Sequence, residues 1–317
     1  MVFSYSAEAL KAFFVRERQR MTNAQCWKNY PTSYELTRKT KKYGPELERL
    51  SEEWRSGVTV TGADGILYAF DEDFPVVNPC TPESERPFLM YYRGDISLLR
   101  DLNKNVAVIG TLEPDELTMA RERRIVDCLV EKGMHIVSGL ALGCDTVAHQ
   151  ACMEAGGKTI AILPTQLDKL SPAKNRALGD EIVRNGGLLL TEYGQGAISR
   201  SEALKRYSER DRLQAMFSKA VIMIASYRKG EGDSGSRYAM NAARKYHIGQ
   251  YVMFDWEKDC ENPMFGLNRE MVECSADVKA LRPSEIEELA QMRDPKLEQK
   301  LVTEQMRIDV NCDEAYF

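Results

Sequence analysis

The chain has 317 residues, of which 43% are hydrophobic and 29% are charged, and its net charge at pH 7 is −5. This composition is ordinary for a soluble globular protein. No window offers the roughly 18 uninterrupted apolar residues of a membrane span, and the N-terminus lacks the pattern of a secretory signal peptide. The length suits one large α/β domain with an appendage.

The eight cysteines are scattered, and none forms a C-x-x-C pair. This usage is typical of a reducing compartment without disulfides or a zinc site, so we expect a cytoplasmic protein. The three histidines are too few and too separated for a metal cluster, and we expect no metal and no cofactor. Cys144 and His149 invite a thiol–imidazole interpretation, but a buried cysteine with a packed histidine is the more ordinary one.

The first 60 residues carry 11 Lys and Arg against 7 Asp and Glu, a net +4, which leaves −9 for the remainder. Such a basic appendage suits an anionic partner, and it equally suits a solvated helical surface. This region, residues 1–60, is predicted to be helical. Ser6 is a candidate N-cap, and Pro31 and the pair Gly44–Pro45 divide the region into about three helices. After Gly57, β-branched residues around a turn at Asp64–Gly65 indicate a strand or hairpin.

Apolar runs alternate with helical segments from residue 86 onward, and most are apolar on both faces, as covered parallel strands must be. This alternation predicts a doubly wound, mainly parallel α/β sheet over residues 61–285. Residues 286–317 are charged and are predicted to form a helical tail. The predicted strands are FLMYY, VAVIG, HIVSG, TIAIL, GLLLTEY, AVIMIAS and QYVMF.

Ligands of such sheets bind outside the carboxyl ends of the strands, where three glycine-containing loops are expected. The first contains Gly110 and Thr111. The second runs from Ser138 to Gly143, and a helix beginning near Asp145 would direct free backbone N–H groups into the crevice, which suits phosphate. The alternative for this loop is a tight strand–helix turn with no ligand.

The third loop contains Gly230, Gly232 and Gly235, which match G-x-G-x-x-G literally. A dinucleotide fingerprint belongs at the first strand of the sheet, whereas this copy lies late in it, so a second phosphate-facing loop is favoured over an NAD site.

Arg206, Arg210 and Arg212 cluster shortly before this third loop. Their planar, permanently charged side chains suit phosphate, although ion pairs with neighbouring acidic residues are the alternative. No motif with a catalytic set is found in the sequence, so we do not expect an enzyme.

Four segments in order, VAVIGT, SGLALGCDTVAH, GGLLLTEY and RYSERDRLQAM, resemble the DprA/Smf family of DNA-processing proteins. The likeness covers about residues 65–285. It implies an extended Rossmann-like domain that binds single-stranded DNA without sequence preference, a homodimer, and help in loading a RecA-type recombinase during natural transformation. The DNA- or phosphate-binding residues predicted on this basis are Gly110, Thr111, Ser138, Gly139, Leu140, Gly143, Lys174, Asn175, Arg176, Arg206, Arg210, Arg212, Lys229, Ser234, Gly235 and Ser236.

The chain departs from the family pattern at several positions. Leu112 and Leu142 stand where the family has arginines, and Asp211 stands at the middle of its R-N-R motif. The loss of two cations predicts weaker DNA binding with a flatter salt dependence. Residues before 60 show no likeness to the family's usual N-terminal domain, and residues 286–317 are too short to be expected to form its usual C-terminal winged helix.

Two other functions remain open. The same crevice could bind a small nucleotide, as in a nucleotide sensor or a phosphoribohydrolase-like protein, although the motif P-G-G-x-G-T-x-x-E of the latter is absent from the sequence. A protein-interaction scaffold without a working pocket is the third possibility.

Overall fold

A computed structural model describes residues 3–57, 60–232 and 235–293. A nine-stranded sheet has the order β1-β2-β6-β5-β4-β3-β7-β8-β9. Strands β3 to β9 are all parallel to one another, whereas β2 is antiparallel to both of its neighbours, β1 and β6. The strands are β1 (Gly65–Tyr68), β2 (Leu89–Gly94), β3 (Asn105–Ile109), β4 (His135–Ser138), β5 (Thr159–Leu163), β6 (Leu188–Thr191), β7 (Ala220–Met223), β8 (Gly249–Val252) and β9 (Val278–Ala280).

Helices cover both faces of this sheet. The four N-terminal ones are α1 (Ala7–Phe13), which continues into a π-helical segment (Phe14–Arg18), α2 (Asn23–Asn29), α3 (Ser33–Thr40) and α4 (Gly44–Arg55). The others are α5 (Glu116–Glu131), α6 (Cys144–Glu154), α7 (Arg176–Arg184), α8 (Arg200–Met216), α9 (Ser236–Lys245), α10 (Gly266–Cys274) and α11 (Pro283–Gln291).

The strand order places a topological switch between β3 and β7. The chain leaves β3 towards β4, β5 and β6, and then returns through α8 to add β7 on the opposite side of β3. A crevice is expected outside the carboxyl ends of strands at such a point. The predicted doubly wound sheet is therefore confirmed, and its switch point locates the region in which a ligand site is most expected.

The buried residues of the sheet belong to two hydrophobic cores. One contains residues on both faces of β3, β4 and β7, with helices that include α5 and α9. The other joins β2, β5 and β6 to the N-terminal helices, where Trp54 packs edge-on against Phe13 at 5.0 Å between ring centroids. Because the N-terminal helices bury their apolar residues against the sheet, they share its core.

The structure adds detail to the predicted elements. The sequence around Asp64–Gly65 forms β1, in agreement with the first of the two predicted alternatives, a strand, and β1 pairs with β2. The N-terminal region folds into four α-helices because Gly44 and Pro45 begin a helix, α4, as Pro does well in a first turn. Strand β9 was not predicted, since three residues carry too little pattern. Most of the predicted tail, 294–317, lies outside the described residues.

In the ranges that the structure covers, no helix has the length and apolar character needed to cross a membrane.

Candidate nucleic-acid interface

The first two glycine loops meet at the carboxyl ends of β3 and β4. The N–H of Cys144, the first residue of α6, donates to the Thr111 carbonyl oxygen at 3.0 Å. Gly143 lies so close that a Cβ atom on it would stand 2.4 Å from the same oxygen, and its φ of +74° is left-handed. Only glycine meets both conditions without strain. The bare backbone at this position is therefore required by packing against the Thr111 loop.

Leu140 gives the turn its inward anchor. Its φ of +64° is unusual for a residue with a Cβ atom, and its side chain is fully buried in the core that faces the N-terminal helices. The Ser138 hydroxyl donates to the Val108 carbonyl at 2.7 Å, which ties the start of the turn to β3. Neither side chain faces the crevice, so both hold the turn in place.

The Asp145 carboxylate occupies part of the backbone that we expected to be free. Its Oδ2 accepts hydrogen bonds from the Gly139 and Ala141 N–H groups, both at 3.1 Å. The expectation of a wholly free set of donors is therefore wrong for these two groups. Within the described ranges, the N–H groups of Leu142 and Gly143 donate to no protein acceptor, and both lie at the N-terminus of α6. This is where an anion is favoured by the helix dipole.

Asn175 fastens the other side of the turn. Its amide donates to the carbonyl oxygens of Leu140 at 2.9 Å and Ala141 at 3.0 Å, and to the Thr146 hydroxyl at 2.8 Å. The neighbouring side chains Lys174 and Arg176 are exposed, and neither forms an ion pair in the part of the chain that is described. The structure thus brings two unpaired cations to the edge of the fixed turn.

Arg210 lies on the inner side of the turn and is only 6% exposed. Its Nη1 donates to the carbonyl oxygens of Gly139 and Ile162, the latter at 2.8 Å, and its Nε donates to Asp211 at 2.9 Å. All of these partners belong to the protein. The geometry therefore gives Arg210 the role of positioning the turn, whereas the sequence predicted that it contacts phosphate directly.

Arg206 and Arg212 are also held by protein groups. Arg206 bonds to Glu202 at 2.6 Å and stacks over the Tyr193 ring at 4.2 Å. Arg212 pairs with Glu192 at 2.7 Å and donates to the Glu85 carbonyl. The sequence offered ion pairing as the alternative for these residues, and the structure shows such pairs.

The third glycine loop leads into α9. Gly235 is the N-cap of this helix with φ +87°, Ser236 is buried as its first residue, and Lys229 is exposed. Ser234, also predicted as a site residue, lies outside the described residues. The loop follows β7 and so belongs to the same edge of the sheet as the first two loops.

The buried ionisable groups around the turn are shifted towards their neutral forms. Burial raises the pKa of Asp211 to about 6, with Arg210 opposing this shift and Asp145 adding to it. Burial also raises the pKa of Asp145 and of the Cys144 thiol, and it lowers the pKa of His149 to about 3. The His149 Nδ1 bonds to the Thr159 hydroxyl at 2.6 Å. Cys144 and His149 are thus packed core groups, as the more ordinary interpretation had it.

Leu112, which follows Thr111, is 49% exposed, and Leu142, which precedes Gly143, is 38% exposed. The edge therefore has an apolar rim where the family pattern has arginines.

Sequence reasoning missed the role of Asp145, although an acidic residue in the first turn of a helix after a glycine turn is a signal for capping. Among the described residues, no group of three His, Cys, Asp or Glu residues could hold a metal ion.

A family model described as DNA recombination-mediator protein A matches residues 65–286. The chain belongs to this family. Two curated relatives are each 35% identical: protein Smf of Synechocystis over 155 residues and the DNA processing protein DprA of Streptococcus pneumoniae over 164. These matches cover 48% and 50% of this chain, and 38% and 55% of the relatives' lengths. The chain thus spans about half the length, or less, of these relatives.

Two solved structures of the family share the fold. DprA of Streptococcus pneumoniae aligns over 91% of this chain and 94% of its own, with a TM-score of 0.64 and 22% identity. DprA of Helicobacter pylori, whose structure is described as showing a single-stranded DNA binding mode, aligns over 71% of this chain and 94% of its own, with a TM-score of 0.58 and 26% identity. The first alignment extends beyond residues 65–286, so it takes in N-terminal helices, which sequence likeness alone did not reveal.

Proposed function

We propose that the chain binds single-stranded DNA through its phosphates, and hence without sequence preference, at the edge formed by the turn Gly139–Gly143. The observation that carries this proposal is the combination of a backbone donor site with exposed positive charge beside it. Leu142 and Gly143 present backbone N–H groups at the N-terminus of α6, and Lys174 and Arg176 stand exposed beside them. Contacts of this kind fix a phosphate backbone but carry no base information.

The internal hydrogen bonds of the turn support this proposal energetically. Asn175, Arg210 and Asp145 hold its carbonyl and amide groups in place before any ligand arrives. A preorganised site loses less conformational freedom on binding than a flexible one. The turn is therefore suited to receive a phosphate without rearrangement.

The charge of the edge sets the expected strength of binding. Lys174, Arg176 and Lys229 are its exposed cations, and each phosphate neutralised in a single strand changes the slope of log affinity against log salt by about 0.7. Three such contacts give a slope of about −2. This salt dependence is modest. The exposed Leu112 and Leu142 explain it, because they place apolar side chains where cations would make further phosphate contacts.

Membership of the family extends the proposal to a role. We infer that the chain acts in DNA uptake or recombination by helping to load a RecA-type recombinase, as a homodimer in the cytoplasm. The description of DprA of Streptococcus pneumoniae as a DNA processing protein supports the DNA-related part of this role. The edge described above supplies the DNA contact that such a role requires.

The test is fluorescence anisotropy with a labelled dT oligomer and the full chain at two salt concentrations. Binding that weakens with salt at a slope near −2, and that is equal for oligomers of different sequence, is the expected result. An absence of binding at low salt would refute the proposal.

A further inference from the structure

An open groove of about 520 Å³ lies on the N-terminal helices, between α2, α3 and the 3₁₀ turn Lys41–Tyr43. Four of its seven lining residues are basic, and among the described lining residues none carries a carboxylate. The lining consists of Met21, Asn29, Tyr30, Arg38, Lys39, Lys41 and Lys42. No residue of the turn Gly139–Gly143 or of the loops beside it belongs to this lining, so the groove is a surface separate from the proposed DNA edge.

The groove keeps a surplus of positive charge. Glu35 pairs with both Arg38 and Lys39, each at 2.9 Å, and one carboxylate compensates only one of the two cations. Lys41 and Lys42 are exposed, and neither forms an ion pair with any described residue. Four cations less one carboxylate leave three positive charges on this surface.

The charge of the whole chain directs a polyanion to this kind of surface. The first 60 residues carry a net +4 and the remainder −9. An acidic body repels a polyanion, whereas a local basic surface attracts it. The groove is therefore one of the few places at which a polyanion can approach this chain.

Tyrosine rings accompany the cations. The Tyr30 ring lines the groove, and the Lys39 ammonium lies 5.9 Å from its centroid. Tyr34 on α3 is 73% exposed. Unpaired bases stack on exposed aromatic rings that stand among cations, whereas an acidic peptide would use the charges alone. The combination favours a single-stranded nucleic acid.

The spacing along α3 brings these features into line. Tyr34, Arg38 and Lys41 stand at positions i, i+4 and i+7, and Lys41 continues the right-handed helical backbone as the C-cap. Residues at this spacing share one face of a helix. The rise of a helix separates the first from the last by about 10 Å, which a few nucleotides of a single strand bridge.

We propose that this groove is a second binding surface for single-stranded DNA, with phosphates at Lys41 and Lys42 and a base against Tyr34. The inference takes its ligand from the proposed function but not its site, so either site can fail without the other. Lysine contacts to phosphate carry no base information, and stacking on a ring tolerates every base. The groove therefore binds without sequence preference.

Photo-crosslinking of the full chain to a short dT oligomer, with the crosslinked residues mapped by mass spectrometry, tests this proposal. Three surplus charges give a salt slope of about −2, as at the edge, so the position of the crosslink distinguishes the two sites. A crosslink at Tyr34 is expected, and it should persist in Lys174→Ala with Arg176→Ala. Lys41→Ala with Lys42→Ala should lower its yield by about tenfold or more, because charge-assisted contacts are removed.

Arg49→Ala with Arg55→Ala is the matched control. Both arginines are exposed on α4, form no ion pair in the described part of the chain and do not line the groove. This variant removes the same charge from the same N-terminal region and should leave the crosslink yield unchanged. Unlabelled dT should suppress the crosslink at a lower concentration than polyglutamate of equal charge, because only DNA stacks on Tyr34.

Three results would overturn the proposal. The first is no crosslink at Tyr34, and crosslinks found only beside the turn Gly139–Gly143 would leave the proposed function standing alone. The second is an equal loss of yield in the groove variant and its control, which would show that DNA senses only regional charge. The third is equal suppression by polyglutamate and dT, which would assign the groove to an acidic protein. All four substituted side chains are exposed, so both variants should fold, and unchanged circular dichroism would verify this.

Discussion

The cations predicted to bind DNA fall into two sets that differ in burial. Arg210 lies under the turn Gly139–Gly143 and is bonded to its carbonyl groups, whereas Lys174 and Arg176 stand at the surface on either side of Asn175. The first set shapes the backbone, and the second remains available to a ligand. The predicted basic residues thus divide into those that support the turn and those that are available to a ligand, and only the structure distinguishes them.

The largest loss of stability should follow from replacing Arg210, which supports the turn. Arg210→Met leaves two carbonyl oxygens and the Asp211 carboxylate without their partner, and breaking a buried pair of this kind costs about 3–5 kcal/mol. Urea unfolding measures the loss of stability. Arg176→Met is the exposed control and should stay within about 0.5 kcal/mol of the parent. A loss below about 1 kcal/mol for Arg210→Met would contradict the supporting role.

A comparison of two glycines measures how strictly the turn requires Gly143. Gly143 and Gly133 have nearly equal φ values of +74° and +75°, but a Cβ atom on Gly133 meets nothing within 4 Å. Gly133→Ala should therefore cost only the strain of a positive φ, about 1–2 kcal/mol. Gly143→Ala should cost about 1–3 kcal/mol more, because its ψ of −128° lies outside the left-handed helical region and its Cβ atom would clash with the Thr111 oxygen. Equal losses in urea unfolding would show that the contact with Thr111 is not required.

The pH dependence of stability tests Asp211. Its folded pKa of about 6 exceeds the unfolded value of about 3.9, so the folded state holds more protons between these values and loses stability as pH rises through them. Asp211→Asn keeps an oxygen for the Arg210 Nε–H group. It should stabilise the protein by about 1–3 kcal/mol at pH 8, and this gain should vanish near pH 4. Thermal melts at both pH values check this, and the same shift at both would contradict it.

The fold was largely predictable because its signals are local. Strands such as β3 and β5 are apolar on both faces, and the helices between them show clear spacing. The antiparallel placement of β2 between β1 and β6 could not be predicted, since pairing partners distant in sequence leave no local pattern. The shared core of the N-terminal helices was missed for the same reason.

The site was predictable in position but not in detail. Glycines 139 and 143 marked the turn correctly, because the left-handed and closely packed conformation at Gly143 demands glycine. The sequence could not show that Asp145 occupies two of the amides, or that Arg210 faces inward. Both facts depend on side-chain direction across α6 and α8, which spacing alone does not fix.

The most direct test of the account compares two charge-matched double variants in dT binding across salt concentrations. Lys174→Ala with Arg176→Ala removes the exposed cations beside the turn. Arg124→Ala with Arg184→Ala removes two exposed arginines elsewhere, one of them at the far end of α7 from Arg176. Only the first variant is expected to lose affinity, with a salt slope shallower by about 1.4, while both variants remain as stable as the parent. Equal losses in the two variants would mean that DNA senses only the total charge, and would contradict a binding site at the turn.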